Sequence, residues 1–240
     1  MAGHSKWANI KRHKEKQDAK RGKLYTKLIR EITVAAQLQG GDPHSNPRLR
    51  TALDKAFEAN MTKDVIERAI KRGAGGGEGE KVEEIRYEGY GPAGAAVIVD
   101  CMTNNRNRTA AEVRHAFSKH GGHLGASNAV AYLFKKLGQI IFSPGVPAER
   151  IMEIALELGA EDMLEHEDGS IDIITSPENF EPVKMALIGA GFKPEQAEVT
   201  MLASTNATIA DPETIETMVN LIDALEDLDD VQVVYTNAEW

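Results

Sequence analysis

Apolar residues recur with helical spacing in the first third of the chain. Within residues 17–39 they fall at Leu24, Leu28, Ile32 and Ala35. This i, i+4, i+8 spacing places them on one face of a helix, so the segment is predicted to be an amphipathic helix that buries that face.

Two shorter helices are predicted after it. Asn46 precedes Pro47, and this pair is typical of a helix start, because asparagine caps free amide groups and proline needs no amide donor at the first helical position. A third helix is expected from Thr62 to Gly73. Three helices with short loops predict a small bundle, and the glycine-rich residues 73–79 are typical of a linker. The apolar faces comprise Leu49, Leu53, Ala56 and Phe57 in the second helix, and Val65, Ile66, Ala69 and Ile70 in the third.

Beyond the linker the pattern changes to strands and helices. Residues 82–87 and 95–102 are predicted as strands joined by a turn-rich segment. A helix is expected to open near Asn107 or Thr109, since Thr109 heads a sequence with capping-box spacing. Residues 130–134 could form a further strand.

Residues 139–204 carry elements in the order β-α-β-β-α-β, which is typical of a ferredoxin-like domain. The predicted elements are a strand over 139–142, a helix over 151–158, strands on both sides of the turn at 167–169, a helix over 179–190 and a strand over 197–202. A helix after Asp211-Pro212 and a strand over 231–235 follow this complete unit.

The fold class is therefore predicted to be α+β with three domains. The middle segment has too few strands of its own and could recruit the last helix and strand, so the ferredoxin-like domain is expected to be inserted within it. The predicted domains are a basic arm with a helical domain (1–78), a middle α+β domain (79–136 with 206–240) and an acidic ferredoxin-like domain (137–205).

Charge is distributed very unevenly around the overall net charge of −9. Residues 1–30 hold ten basic residues against two acidic ones, a net +8, whereas residues 143–240 hold three basic against 22 acidic, a net −19. Such asymmetry favours a polyanion-binding end and a solubilising or partner-facing end. The single cysteine and the lack of an apolar signal or membrane-length segment favour the cytoplasm.

The strongest functional signal is a basic stripe on the first helix. Lys16, Lys20, Lys23, Lys27 and Arg30 are spaced 4, 3, 4, 3, so they share the face opposite the apolar one. Like charges at this spacing repel each other, which favours binding to nucleic acid over a simple solvated face, although both interpretations stay open.

Further cations extend this candidate site. Upstream of the stripe, basic residues alternate with Trp7, whose ring could stack on an unpaired base. The segment 104–108 adds two arginines at a predicted strand-to-helix junction, where they suit phosphate, or where the asparagines simply form a turn. The candidate nucleic-acid contacts are Lys6, Trp7, Lys11, Arg12, Lys14, Lys16, Lys20, Arg21, Lys23, Lys27, Arg30, Arg106 and Arg108. DNA and RNA are not distinguished by these residues.

Catalysis and metal binding have weaker support. His115, His120 and His123 lack a nearby cysteine or carboxylate to complete a metal site, and Cys101 follows apolar strand residues, which favours a small buried side chain. The many paired carboxylates, such as Asp229-Asp230, are interpreted as a solvated acidic surface. We therefore expect neither an enzyme nor a metal or cofactor; a metalloenzyme using the three histidines is the alternative.

Four motifs resemble the YebC/PmpR family. They are MAGHSKWANIK at 1–11, DAKRGK at 18–23, YEGYGP at 87–92 and NNRNRT at 104–109. The resemblance extends nearly from end to end and implies a bacterial cytoplasmic protein with an N-terminal helical domain and two α+β domains, the last inserted in the middle one.

The same resemblance implies a function. Family members are described as probable DNA-binding transcriptional regulators, and the family includes a mitochondrial translational activator. Some members are associated with ribosomes and with translation through proline-rich stretches. A DNA regulator is thus the leading hypothesis. The alternative is a translation factor that binds rRNA or tRNA, with the acidic domain contacting a basic protein partner.

Overall fold

The computed structural model describes residues 21–75 and 82–240. Contacts within it divide these residues into two compact units, which are described separately. Residues 21–75, 82–129 and 212–234 form the first, here called the bundle–sheet unit. Residues 130–211 and 235–240 form the second, here called the ferredoxin-like unit.

The helices and strands follow in chain order across the described residues. The bundle–sheet unit begins with α1 (Arg21–Gln39), α2 (Pro47–Glu58), α3 (Lys63–Ala74), β1 (Glu83–Tyr90), β2 (Ala96–Thr103), α4 (Arg106–Lys119) and β3 (His123–Leu124). Then come β4 (Phe134–Phe142), α5 (Ala148–Glu157), β5 (Ala160–Glu165), β6 (Ile171–Thr175), α6 (Phe180–Gly189), β7 (Gln196–Ala203) and β8 (Ala207–Thr208). The chain ends with α7 (Pro212–Glu226), β9 (Val231–Thr236) and β10 (Ala238–Glu239).

The helical bundle forms as its sequence predicts, except that Phe57, predicted on the buried face of α2, is 51% exposed. Asn46 is the N-cap of α2: its Oδ1 accepts a hydrogen bond from the Leu49 amide at 2.9 Å. Its Nδ2 donates to the carbonyls of Ala35 and Gly40, both at 2.8 Å, which fixes the end of α1 against the start of α2. The buried faces of α1–α3 then share one apolar core. That core contains Leu28, Ile32, Ala35, Leu49, Ala52, Leu53, Ala56, Met61, Ile66 and Ala69.

The bundle–sheet unit also holds a four-stranded sheet in the order β3-β1-β2-β9. Strands β1 and β2 pair antiparallel, with Glu83 opposite Thr103 and Tyr90 opposite Ala96. Apolar side chains of β2 are buried throughout, and α4 buries Val113 and Phe117 completely. β9 reaches this sheet after the whole ferredoxin-like sequence, so that sequence is an insertion, as predicted.

The ferredoxin-like unit has a second sheet, in the order β5-β6-β4-β7. All three pairings are antiparallel, and Ile140 on β4 lies opposite Ile173 on β6 and Ala197 on β7. This order and the β-α-β-β-α-β connectivity confirm the ferredoxin-like fold. Helices α5 and α6 cover the sheet with Ile151 and Leu187, each completely buried.

The strand predicted over residues 130–134 is wrong, and of the two predicted starts of α4 the one near Asn107 is confirmed to within one residue while the one at Thr109 is wrong. Residues 131–133 form a short 3-10 helix instead of a strand. Strand β4 begins at Phe134 and includes the strand predicted over 139–142. Helix α4 begins at Arg106 because Asn105 is its cap, its Oδ1 accepting from the Arg108 amide at 3.1 Å. Thr109 is therefore inside the helix and buried.

The α+β class and the multidomain organisation are confirmed, while the domain limits stay predictions. None of the helices within residues 21–75 and 82–240 is both long and apolar enough to cross a membrane.

A close approach of α3 to α1 gives the first testable prediction. A Cβ added at Gly73 would lie 2.2 Å from the Thr33 carbonyl oxygen and 2.8 Å from the Ala36 Cβ. Gly73→Ala must push the two helices apart, so we expect it to lower the free energy of unfolding by about 1–3 kcal/mol in urea denaturation. Gly22→Ala is the control, because nothing lies within 4 Å of its added Cβ; equal stability of the two variants would contradict this packing.

Candidate nucleic-acid interface

Part of the predicted site lies outside the described residues. The structure gives no account of Lys6, Trp7, Lys11, Arg12, Lys14, Lys16 and Lys20, nor of the Arg21 side chain. The stripe residues whose side chains it describes are Lys23, Lys27 and Arg30 on α1.

Lys23 and Lys27 contact the C-terminal end of α7. The Lys23 Nζ donates to the Asp227 carbonyl at 2.8 Å and lies 3.3 Å from the Asp227 Oδ1. The Lys27 Nζ donates to the Glu226 carbonyl at 3.1 Å. The last carbonyls of a helix have no partner within it and carry the negative end of its dipole, so the two ammonium groups neutralise them.

Arg30 contacts the residues that follow. Its Nη1 donates to the carbonyls of Asp229 and Met102, the latter at 3.3 Å, and lies 2.7 Å from the Asp230 Oδ1. The last contact is an ion pair. The three described cations of the stripe therefore all face residues 226–230, hereafter the acidic segment.

Asp230 is the most enclosed carboxylate of this region, with 2% of its side chain exposed. Its Oδ2 accepts from the Arg108 Nη2 at 2.7 Å and Nε at 3.2 Å. The hydroxyls of Thr103 and Thr109 lie 3.1 and 2.8 Å from the same oxygen. Asp230 therefore forms a buried ion pair with Arg108. The interpretation of Asp230 as part of a solvated acidic surface is wrong.

Burial and charge act in opposite directions on Asp230. Burial by itself raises the pKa of a carboxyl group, but the hydrogen bonds from Arg108 and Thr109 and the nearby charge of Arg30 outweigh it and lower the pKa of Asp230 below its usual value. The carboxylate is therefore ionised at neutral pH.

The second predicted cluster meets the first at this carboxylate. Arg108 pairs with Asp230 and also donates to the Asn104 Oδ1 at 3.1 Å. Arg106, in the first turn of α4, is exposed, and its carbonyl accepts a hydrogen bond from the Tyr87 hydroxyl at 3.3 Å. Arg30 and Arg108 are far apart in sequence, yet they bind the two oxygens of one side chain.

The acidic segment itself was not predicted as a partner of the stripe. A signal was present, since four carboxylates follow one another closely after an amphipathic helix and match the charge of the stripe. The sequence alone gave no indication that the acidic segment and the stripe lie close together.

Two of the other candidates from the sequence, His123 and Cys101, have contacts typical of side chains that stabilise the fold. The His123 ring stacks on Tyr90 with centroids 5.2 Å apart, and the Tyr90 hydroxyl donates to the Ala129 carbonyl at 3.1 Å. Cys101 is buried, and this burial raises the pKa of its thiol to about 12, so the thiol stays protonated. Within the described residues no three histidine, cysteine or acidic side chains are grouped so that they could share a metal ion.

The structure is that of a multidomain α+β protein with a cation-rich region in its bundle–sheet unit. Comparison with known proteins identifies its family. Residues 5–76 match the model of the TACO1/YebC protein N-terminal domain, and residues 82–238 match that of the TACO1/YebC second and third domain. The chain therefore belongs to the YebC family, and the predicted resemblance is confirmed.

Individual relatives agree with this assignment. Proteins of Francisella philomiragia and Francisella tularensis, each named as a probable transcriptional regulatory protein, are 62% identical over all of this chain and 96% of their own length. A crystal structure of Aq1575, a conserved hypothetical protein from Aquifex aeolicus, is similar with a TM-score of 0.81 and 51% identity over 92% of this chain and 91% of that one. The family is thus one of regulatory proteins.

The buried ion pair gives the second prediction. Asp230→Asn keeps the shape of the side chain but leaves Arg30 and Arg108 without their shared charge. We expect it to lower the free energy of unfolding in urea by about 2 kcal/mol, which is less than the roughly 3–5 kcal/mol for a fully buried pair because both arginines reach solvent. Asp229→Asn, the same change at an exposed neighbour, should leave stability nearly unchanged; an equal loss in both would contradict the role of Asp230.

The same carboxylate gives the third prediction, a pH dependence. Since the pKa of Asp230 is lower in the folded protein than in the unfolded chain, its stabilisation is present above the unfolded pKa of about 3.9 and is lost as the pH falls through the folded pKa. Urea denaturation below about pH 4 should therefore show the stability of the wild type converging on that of Asp230→Asn. A constant difference down to the lowest pH would contradict this assignment.

Proposed function

We propose that this protein is a cytoplasmic regulator of gene expression that binds nucleic acid, and specifically a DNA-binding transcriptional regulator. The observation that carries the proposal is the convergence of two separately predicted cation clusters, Lys23 to Arg30 and Arg106 to Arg108, at one region of the bundle–sheet unit. The basic arm continues directly into α1 in sequence and adds further positive charge to this end.

The cations support contacts with phosphate more than with bases. Lysine ammonium and arginine guanidinium groups bind phosphate oxygens and fix a protein on nucleic acid without reading its sequence. Arg106 is exposed at the start of α4, where the positive end of the helix dipole also favours an anion. Trp7 of the arm would add stacking on an unpaired base.

The names of the relatives support a regulator, and the proposed action is binding without catalysis. Cys101, the single cysteine of the chain, is buried with a raised pKa, which argues against a nucleophile at that position.

A second function has an observation of its own in its favour. Residues 137–205 carry thirteen acidic against three basic residues. On α5 and α6 of the same unit Met152, Leu156, Met185 and Ile188 are exposed. An acidic surface with exposed apolar side chains suits a basic protein, and basic proteins surround rRNA in ribosomes. A ribosome-associated translation factor that binds rRNA or tRNA is therefore the alternative, including one that relieves stalling at proline-rich stretches.

Competition binding separates the two functions and is the fourth prediction. Labelled ribosomes and a labelled promoter duplex are offered together over a salt series. We expect the promoter duplex to be preferred over scrambled DNA at physiological salt, because specific contacts survive where purely electrostatic ones weaken. Preference for ribosomes would replace the DNA regulator by the translation factor, and loss of both with salt would contradict each function.

Charge reversal in the arm tests the surface in the same assay. Lys11→Glu, Arg12→Glu and Lys14→Glu together should reduce affinity by about 100-fold or more, because three attractions to phosphate become repulsions. The loss of these phosphate contacts should also reduce the salt dependence of binding. The matched control reverses Lys55, Lys63 and Lys71, which are equally charged, exposed and outside the predicted site. Equal losses in both triple variants would mean that only the net charge matters.

A further inference from the structure

Oxygen atoms of the acidic segment contact the three described cations of the stripe in the way that phosphate oxygens would. The ammonium groups of Lys23 and Lys27 bind the carbonyls of Asp227 and Glu226, and the Asp227 carboxylate adds a negative charge at 3.3 Å. We propose that the acidic segment is an intramolecular competitor of nucleic acid: backbone phosphate displaces it from Lys23 and Lys27, while Arg30 stays bound to Asp230. This inference rests on the proposed function and names the surface and the regulation of that binding.

The contacts at Lys23 and Lys27 are suited to exchange. The side chains of Lys23 and Asp227 are 42% and 43% exposed, so water competes for both groups and their attraction is weak. Burial lowers the pKa of Lys27 against the opposing effect of Glu226, so the ammonium group is desolvated more than the acidic segment compensates. A phosphate in place of the Glu226 carbonyl would bring a full negative charge to Lys27, whose hydrogen-bond partner is a neutral oxygen.

Arg30 is held differently. Its partner Asp230 is almost completely buried and is bound at the same time by Arg108, so removing Arg30 would leave part of a buried charge uncompensated. The strength of the contacts therefore increases along α1 from Lys23 to Arg30. This gradient predicts that the start of the helix exchanges partners while its middle stays in place.

The junction between the bundle and the sheet permits such a change. A cleft of about 410 Å³ lies there, lined by Glu31 and Arg48 of the bundle and Glu84, Arg86 and Asp100 of the sheet. Arg48 spans it, with Nη2 2.6 Å from the Glu84 Oε1. The apolar core of the bundle is built from its own residues. A small displacement at this junction thus breaks polar contacts, which water or phosphate can replace, and leaves the core intact.

The test, our fifth prediction, neutralises the competitor. Glu226→Gln with Asp227→Asn removes two charges beside the stripe but keeps the backbone carbonyls. Affinity for a fluorescein-labelled DNA duplex, measured by anisotropy at low salt, should rise by about 3- to 10-fold because the phosphate no longer competes with two carboxylates. An RNA duplex of the same sequence shows whether the effect extends to both nucleic acids, as exchange for phosphate requires.

The matched control makes the same two charge changes at the other end of α7. Glu213→Gln with Glu216→Gln alters net charge equally, about 15–20 Å away along the helix. The two double variants are compared again at about 0.1 M salt, where the screening length of about 10 Å is shorter than this distance. The control should leave affinity nearly unchanged. Equal gains in the two double variants would overturn the competitor and leave the proposed function standing, whereas a wild type that binds neither duplex would overturn both.

A double-mutant cycle identifies the lysine partner. Lys23→Gln should weaken binding and reduce the salt dependence by about one phosphate contact. In that background the gain from Asp227→Asn should largely disappear, because the cation it releases is missing. If Lys23→Gln leaves affinity and salt dependence unchanged, or if the two effects simply add, Lys23 is only a structural contact of α7 and the proposal is wrong. Thermal unfolding of each variant excludes loss of fold as the cause.

Discussion

Neutralisation of the buried Asp230 carboxylate is the constraint on which the bundle–sheet unit depends. A charge in this position is costly unless opposite charge and hydrogen bonds surround it. Arg30 from α1, Arg108 from α4 and the hydroxyls of Thr103 and Thr109 supply both. Four separate parts of the chain must therefore meet at one point, and that meeting fixes the start of α4 and the position of α1 against the sheet.

This constraint changes how the basic stripe should be understood. Lys23, Lys27 and Arg30 are not bare cations, since each already contacts oxygen atoms of the acidic segment. Binding of a polyanion at this face is then an exchange of oxygen ligands and not the filling of an empty surface. Such an exchange gives smaller net gains per contact and makes affinity sensitive to local acidic residues as well as to salt.

The ferredoxin-like unit has a sheet, a core and a surface charge that differ from those of the bundle–sheet unit. It has its own sheet and its own core around Phe142, Ile151 and Leu187, and that core contains no residue of α1. Its acidic composition and its exposed apolar residues on α5 and α6 set it apart from the cationic end of the chain. One chain thus combines a cation-rich region in the bundle–sheet unit with an acidic ferredoxin-like unit.

Local sequence determined most of the fold. Apolar periodicity, the Asn46 cap and turn residues are short-range features, so they predicted the bundle and the β-α-β-β-α-β order, whereas the family was predicted from its sequence motifs. The start of α4 was left open between Asn107 and Thr109, and the burial of Thr109 against Asp230 decides for the start next to Asn107. The stripe was predicted from spacing, but its acidic partners lie about 200 residues away in sequence. Contacts over that separation depend on how the sheet and helices pack, and so the tertiary structure alone decided them.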